Sequence, residues 1–294
     1  FGTAGIMSTI ILGDESGYEL GDVQKVKLAA IEAEWETLPA PAPFTLVGLP
    51  NQEEQRNDYA IHIPYALGII ATRSIDEQVT GLKDLMTQHE VRIRNGMVAY
   101  GLLEKIRSGD KSAANLAAFD DAKKDLGYGL LLKPYAPDVV DATEEHIQMA
   151  VDDSIPQVAP LYWSFRIMVG SGVLMLFIFL FAFYESARQR IGQNKLFLKI
   201  ALYSLPLPWI AIETGWFIAE YGRQPWAIGE ILPTYMGTSS VSTGQLWFSI
   251  LSIIAFYTAL LVIEMFLMFR FARLGPSSLK TGKYHFEQLE TKQG

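Results

Sequence analysis

Hydrophobic and polar positions divide this chain into membrane-like runs and one long mixed block. Three apolar runs, at about 161–184, 196–221 and 246–269, reach the roughly 20 residues that a membrane-spanning helix needs. Only a helix satisfies its own backbone polar groups in lipid, so each run predicts one transmembrane helix. In the second, Pro206-Leu-Pro208 predicts a kink, because proline removes a backbone donor and crowds the preceding turn. A shorter apolar segment, 1–13, has no basic stretch before it, so it does not read as a signal peptide. It reads as the end of a transmembrane helix whose beginning is missing.

The block between these segments predicts helices. Residues 22–37 read as an amphipathic helix with Leu28, Ile31 and Trp35 on one face, broken by Pro39, Pro41 and Pro43. Further helices are expected over 81–107 and 113–124, and Asp141 with Glu144 suggests a capping box before a last helix to about Asp152. The apolar stretch 60–71 is too short to span and predicts partial burial. The expected fold class is an all-α integral membrane protein: a transmembrane helix bundle with a helical extracytoplasmic loop domain. Its parts are the helix end at 1–13, the loop domain at 14–159, three transmembrane helices within 160–273, and a cytoplasmic tail at 274–294.

Charge supports this division. Residues 14–157 carry 25 acidic and 13 basic side chains, against 7 and 11 elsewhere. An acidic block makes nucleic acid a poor partner. Arg188, Arg190, Lys195 and Lys199 lie around the first link, and Arg270, Arg273, Lys280 and Lys283 follow the third run. The positive-inside rule makes both regions cytoplasmic and puts 14–159 and the 223–245 link outside. Trp163, Trp216, Trp226 and Trp247 then fall near the outer interface, where indole rings favour the headgroups. The absence of cysteine excludes disulfides and thiolate metal sites. His62, His89, His146 and His285 are isolated and read as surface or locally hydrogen-bonded side chains, and no phosphate loop, nucleophile elbow or HExxH motif is present.

Candidate chemistry gathers at the end of the second run, in Gly215-Trp-Phe-Ile-Ala-Glu-Tyr-Gly-Arg-Gln-Pro-Trp226. Trp216, Glu220 and Arg223 stand at i, i+4 and i+7 and share a helix face. A charge there costs roughly 2.5–3.5 kcal/mol unless it is paired or bound, so Glu220 with Arg223 is an ion pair, a relay element or a metal site. Met168 follows Arg166 by two residues near the outer end of the first run. Its thioether is a packing group or an axial haem ligand, and arginine can pair with a haem propionate.

The 215–226 stretch, followed by Ala-Ile-Gly-Glu-Ile-Leu-Pro233, resembles the signature of the larger subunit of cytochrome bd quinol oxidases. The segments at 13–18, 27–35, 165–168, 275–280 and 284–288 resemble that family in the same order. The resemblance implies an enzyme of the bacterial cytoplasmic (inner) membrane that oxidises membrane quinol, reduces dioxygen to water and works with a smaller oxidase subunit. It implies a low-spin haem b on Met168 with Arg166 nearby, and a high-spin haem b on Glu220 with Trp216 and Arg223 as neighbours. The histidine ligands of the low-spin haem and of haem d would lie outside this sequence. Lys27 and Glu32 match quinol-handling positions of an external loop of the long type. Five residues apart, they lie about 140° around a helix, which suggests distinct roles. Two other readings remain open from the residues alone: an ion transporter using Glu213, Glu220 and Glu264, and a non-catalytic assembly protein.

Overall fold

The computed structural model describes residues 1–65, 67, 68, 73, 74, 76, 78–190 and 193–274. They fall into two units, the first ending at Gly237 and the second beginning at Thr238. The motifs at 275–280 and 284–288, with Lys280, Lys283 and His285, lie outside the described residues, as does part of the 60–71 stretch.

In the first unit, α1 (Gly2–Val23) continues ten residues past the expected end at position 13, through Gly13-Asp-Glu-Ser. Gln24 (φ −135°) interrupts it, and α2 (Lys25–Glu32) follows. The single amphipathic helix expected over 22–37 is therefore corrected. α2 is only eight residues long, and Lys27 through Glu32 are all buried rather than one face alone. It stops at Ala33, whose left-handed backbone (φ 54°) costs about 1–2 kcal/mol for a residue with a Cβ. The reversal is held by Glu34 N–H donating to Ala29 O at 2.9 Å and Leu82 N–H donating to Glu34 O at 2.9 Å.

Two hairpins modify the all-α expectation. β1 (Phe44–Asn51) pairs antiparallel with β2 (Arg56–Ile63), with Thr45 opposite His62. No element was expected over 44–50 from the sequence. The pairing partner of β1 lies beyond the turn at 52–55, so only tertiary structure shows the strand. Gln52 at that turn accepts from Val158 N–H at 3.0 Å, which satisfies one orphan donor at the start of the long helix that begins at Val158.

Helices α3 (Leu82–Arg107) and α4 (Ala113–Ala122) lie close to their expected bounds, and Ser112 caps α4 by accepting from Asn115 N–H at 3.3 Å. The short α5 (Leu126–Leu130) crosses α3 at paired glycines: a Cβ on Gly96 would lie 2.2 Å from Gly129 N. The capping box of α6 (Glu144–Asp152) is Thr143 with His146, not Asp141 with Glu144. Thr143 has the extended backbone that an N-cap requires. The core is filled by Ala30, Leu82, Ile93, Tyr128, Leu132 and Leu161.

The long α7 (Val158–Ala187) packs against α9 (Leu207–Tyr221). α8 (Lys195–Tyr203) and α9 are the two halves of the second apolar run, separated at Ser204–Pro206 as its prolines require. After α9 comes a small hairpin, β3 (Trp226–Ile228) with β4 (Leu232–Pro233). Trp226 is 8% exposed against Tyr128, so it belongs to the protein core and not to the interfacial tryptophans expected from sequence. The described part of the second unit ends in α10 (Thr243–Leu274). Among the described residues, three segments are long and apolar enough to cross a membrane. Their large side chains, among them Phe183, Trp209 and Phe248, remain exposed and so suit lipid or another apolar surface.

Candidate functional site

Arg166 of α7 organises a polar cluster where α2 and the β1–β2 hairpin meet that helix. Its Nη1 donates to Ile31 O and its Nη2 to Thr45 O, while Nη2 reaches Glu32 Oε2 at 2.8 Å. The guanidinium lies 3.7 Å from the Tyr162 ring centroid, and Tyr162 Oη donates to Thr45 O at 3.2 Å. Glu32 is only 2% exposed, Thr45 1% and Glu34 5%, which removes most solvent screening from this cluster. Burial pushes the Glu32 carboxyl up to about 7, against the opposing pull of Arg166. Burial, followed by the charge of Glu32, pushes Glu34 up to about 8 although a Thr45 hydrogen bond and Arg166 oppose it. Two carboxyls poised near neutral pH are suited to accepting and releasing protons.

Lys27 occupies another side of α2. Its Nζ donates to Ala219 O at 3.2 Å, and its stem lies beside Gly222, where a Cβ would come 3.0 Å from Lys27 Cγ. Burial, then repulsion from Arg223, lowers the lysine pKa, while Glu220 acts the other way. Lys27 therefore touches α9, and Glu32 touches α7. The two side chains point to different helices, as their spacing of five residues requires. Within the amphipathic helix expected over 22–37 these two positions were not expected to be enclosed, but the buried α2 joins them to α7 and α9.

Glu220 and Arg223 pair at 2.5 Å and are about half exposed, with Trp216 64% exposed on the same helix. Met168 lies on α7 with its thioether against α9: a Cβ on Gly215 would be 3.1 Å from Met168 Sδ. Arg166 and Met168 are two residues apart, about 200° around the helix, so their side chains diverge. Arg166 turns to the loop domain, where it meets Ile31, Glu32 and Thr45. One guanidinium donor, Arg166 Nε, is buried without a partner among the described residues.

These groups fit haem in kind. A thioether in a glycine-lined notch and a half-exposed carboxylate are suitable axial donors, and the unpartnered Arg166 Nε–H can serve a propionate. Among the described residues no cluster of three or more His, Cys, Asp or Glu could hold a metal ion by itself. His62 contacts Thr45, and the His146 ring completes the α6 capping box by accepting from Thr143 N–H. His89 is a core residue, corrected from the surface or local reading, because its Nδ1 meets Ser154 Oγ at 2.8 Å across 65 positions. Burial, then Arg92, pushes it down to about 4.

The link after α9 is fastened by a network that sequence reading missed. Arg92 holds Asp125 at 2.8 Å and Glu230 at 2.9 Å, and Tyr128 Oη donates to Glu230 at 3.2 Å. The Gly-Glu-Ile element at 229–231 is thus tied to α3 and α5, which fixes the stretch following Arg223. Glu34, Thr45 and Tyr162 were also missed. The spacing Glu32-Ala-Glu34 was an available signal for a carboxyl pair, whereas nothing local marks Thr45.

The fold and these sites define a multi-pass helical membrane protein with buried ionisable groups where a loop domain meets its helices. Residues 1–276 match the family described as cytochrome bd terminal oxidase subunit I, and the chain belongs to that family. It is 50% identical to cytochrome bd-II ubiquinol oxidase subunit 1 of Escherichia coli (strain K12) over 294 residues, covering all of this chain and 56% of that protein. It is 27% identical to cytochrome bd ubiquinol oxidase subunit 1 of Bacillus subtilis (strain 168) over 274 residues, 93% of this chain and 45% of the relative. The chain thus spans about half the length of the curated relatives it matches.

Proposed function

We propose that this chain forms the quinol-handling loop and two haem b positions of a cytochrome bd quinol oxidase in the bacterial cytoplasmic membrane. Residues 14–159 lie on the outer side, and the complete subunit works with a smaller subunit, membrane quinol and dioxygen. Over a full cycle two quinols and one dioxygen give two quinones and two waters. The observation that carries this reading is the position of α2: Lys27 meets the Glu220 end of α9, and Glu32 meets Arg166 on the helix that carries Met168.

Lys27 would orient a quinol oxygen with its ammonium group, and Glu32 would take a quinol proton. Arg166 holds Glu32 in its carboxylate form before that transfer and can lend its free Nε–H to a propionate. Met168 would bind the low-spin haem b and Glu220 the high-spin one, with Trp216 and Arg223 around it. A third group, haem d, belongs to the same proposal but takes no ligand from the described residues. When bound, the haems supply one-electron transfer and the reduction of dioxygen. The residues of this chain supply orientation, charge balance and proton acceptance. Family membership favours this over ion transport through Glu213, Glu220 and Glu264.

Reduced-minus-oxidised visible spectra of the full-length complex, together with quinol-driven oxygen uptake, test the reading. Low-spin and high-spin haem b bands and a haem d band are expected. Met168→Leu keeps volume within a tolerated swap, so it should turn the low-spin haem high-spin without unfolding the protein. Glu220→Ala should remove the high-spin b signal and leave the low-spin one. Unchanged spectra in both variants would overturn the ligand assignments, and absence of quinol-driven oxygen uptake would overturn the function.

A further inference from the structure

We propose that Glu34, Thr45 and His62 form an outward proton path from the buried carboxyl pair to the protein surface. This rests on the quinol-oxidase reading, in which each quinol releases two protons beside Glu32.

The path follows from strand register. Thr45 and His62 are direct cross-strand partners in the β1–β2 hairpin, so their side chains stand side by side on one face. Thr45 Oγ1 lies 3.4 Å from Glu34 Oε1 and 3.2 Å from His62 Nδ1. Among the described residues it is the one hydroxyl that touches both. At the inner end, Glu34 and Thr45 are almost wholly buried, while His62 is exposed. The three groups therefore lead from a closed interior to solvent in two short steps.

A hydroxyl between these partners is a two-position switch. With Glu34 ionised, Thr45 O–H donates to the carboxylate. Once Glu34 holds a proton, its O–H can donate to Thr45 Oγ1 while the hydroxyl hydrogen turns to the unprotonated His62 Nδ1. Transfer along that pair moves one proton from Glu34 to His62 and returns Glu34 to the carboxylate form. The exposed imidazole then passes the proton to water. No electron moves along the path. The two electrons from quinol leave separately, so charge and atoms balance as quinol giving quinone, two electrons and two protons.

The surroundings restrict the exit. Glu32 on α2 supplies the neighbouring negative charge, and Arg166 on α7 the positive one. Arg166 and Tyr162 hold the Thr45 carbonyl, which leaves its hydroxyl free for Glu34 and His62. At the start of α3, Lys83 pairs with Glu36 and Asp84 with Thr37. Thr45 and His62 therefore give Glu34 its exit. The raised affinity of Glu34 for a proton allows it to hold one at neutral pH until the hydroxyl turns.

The full-length oxidase complex tests this with two substrates: quinol, and a dye that delivers electrons to the haems without using the quinol site. Glu34→Gln, Thr45→Val and His62→Ala should each lower quinol-driven turnover at least about tenfold, with dye-driven turnover unchanged. Thr45→Ser should retain activity because it keeps the hydroxyl. Added imidazole should restore turnover to His62→Ala but not to Thr45→Val, a difference that a merely structural role would not produce. Normal quinol turnover in Glu34→Gln and His62→Ala would overturn the path. So would equal losses with quinol and dye, or failure of imidazole to restore His62→Ala. A wild-type complex active with the dye and inactive with quinol would instead overturn the parent reading.

Discussion

Arg166 and Arg223 each hold a glutamate at hydrogen-bonding distance, but in contrasting surroundings. Arg166 reaches Glu32 across 134 positions, and both side chains are nearly sealed from solvent. Arg223 meets Glu220 three residues away on one helical turn, and both are about half exposed. The first pair is held by α2, α7 and β1 and contributes to the assembly of the loop domain on the helices. The second is local, so its carboxylate can change partner without disturbing the fold. A ligand position benefits from that freedom, and a structural junction does not.

Breaking the buried pair should have the largest effect on stability. Arg166→Met leaves Glu32 as an uncompensated buried acid and should cost about 3–5 kcal/mol. Adding Glu32→Gln should recover much of that loss. Thermal unfolding of the full-length complex in a double-mutant cycle would measure it, and additive losses would place Arg166 and Glu32 outside one another's influence.

Acidity gives the next effect. Glu32 and Glu34, ordinarily near 4.5, are raised to about 7 and about 8, so the folded chain keeps protons that the unfolded chain has released. Their stabilising contribution is fully present below about 4.5 and is lost as pH rises through 7 and 8. His89, lowered from 6.5 to about 4, acts in the other direction below 6.5. Thermal scans from about pH 6.5 to 8.5 should therefore show a falling Tm, on the order of a few kcal/mol of stability. Glu34→Gln should flatten that slope, and an unchanged slope would exclude Glu34 as a contributor.

Gly215→Ala should act at closer range, costing about 1 kcal/mol because its methyl group would lie 3.1 Å from Met168 Sδ and push the thioether aside. A shifted low-spin haem band with little change in Tm would report that displacement. Arg223→Gln should cost least, under about 1 kcal/mol, because the pair is half exposed. The high-spin haem band should still shift through the lost neighbour of Glu220. A large stability loss there would make the two pairs alike and remove the contrast.

Much of this arrangement is legible in the sequence. The apolar runs lie close to their helices, and Pro206 marks the break between α8 and α9. Glu220 with Arg223 was visible because both sit on one turn. Lys27 and Glu32 were recognisable as positions, but not in their burial, because nothing within eight residues says that α2 is enclosed on every side. The strand β1 was missed for a similar reason: its apolar run gains its backbone partners from β2, beyond the turn. Trp226 read as an interfacial ring because Tyr128, which covers it, is nearly a hundred residues earlier.

By itself the sequence determined the features set by neighbouring residues: membrane-length helices, the proline break, the acidic loop and the i, i+4, i+7 face of Trp216, Glu220 and Arg223. These depend on local length, periodicity and charge. Tertiary structure alone decided that Arg166 faces Glu32 and Thr45 rather than sharing the side of Met168, that Lys27 reaches Ala219, and that Glu34 meets a threonine beside a surface histidine. Burial and hydrogen bonding between separate elements, whether 11 or 192 positions apart, depend on how those elements pack, and local pattern does not encode that.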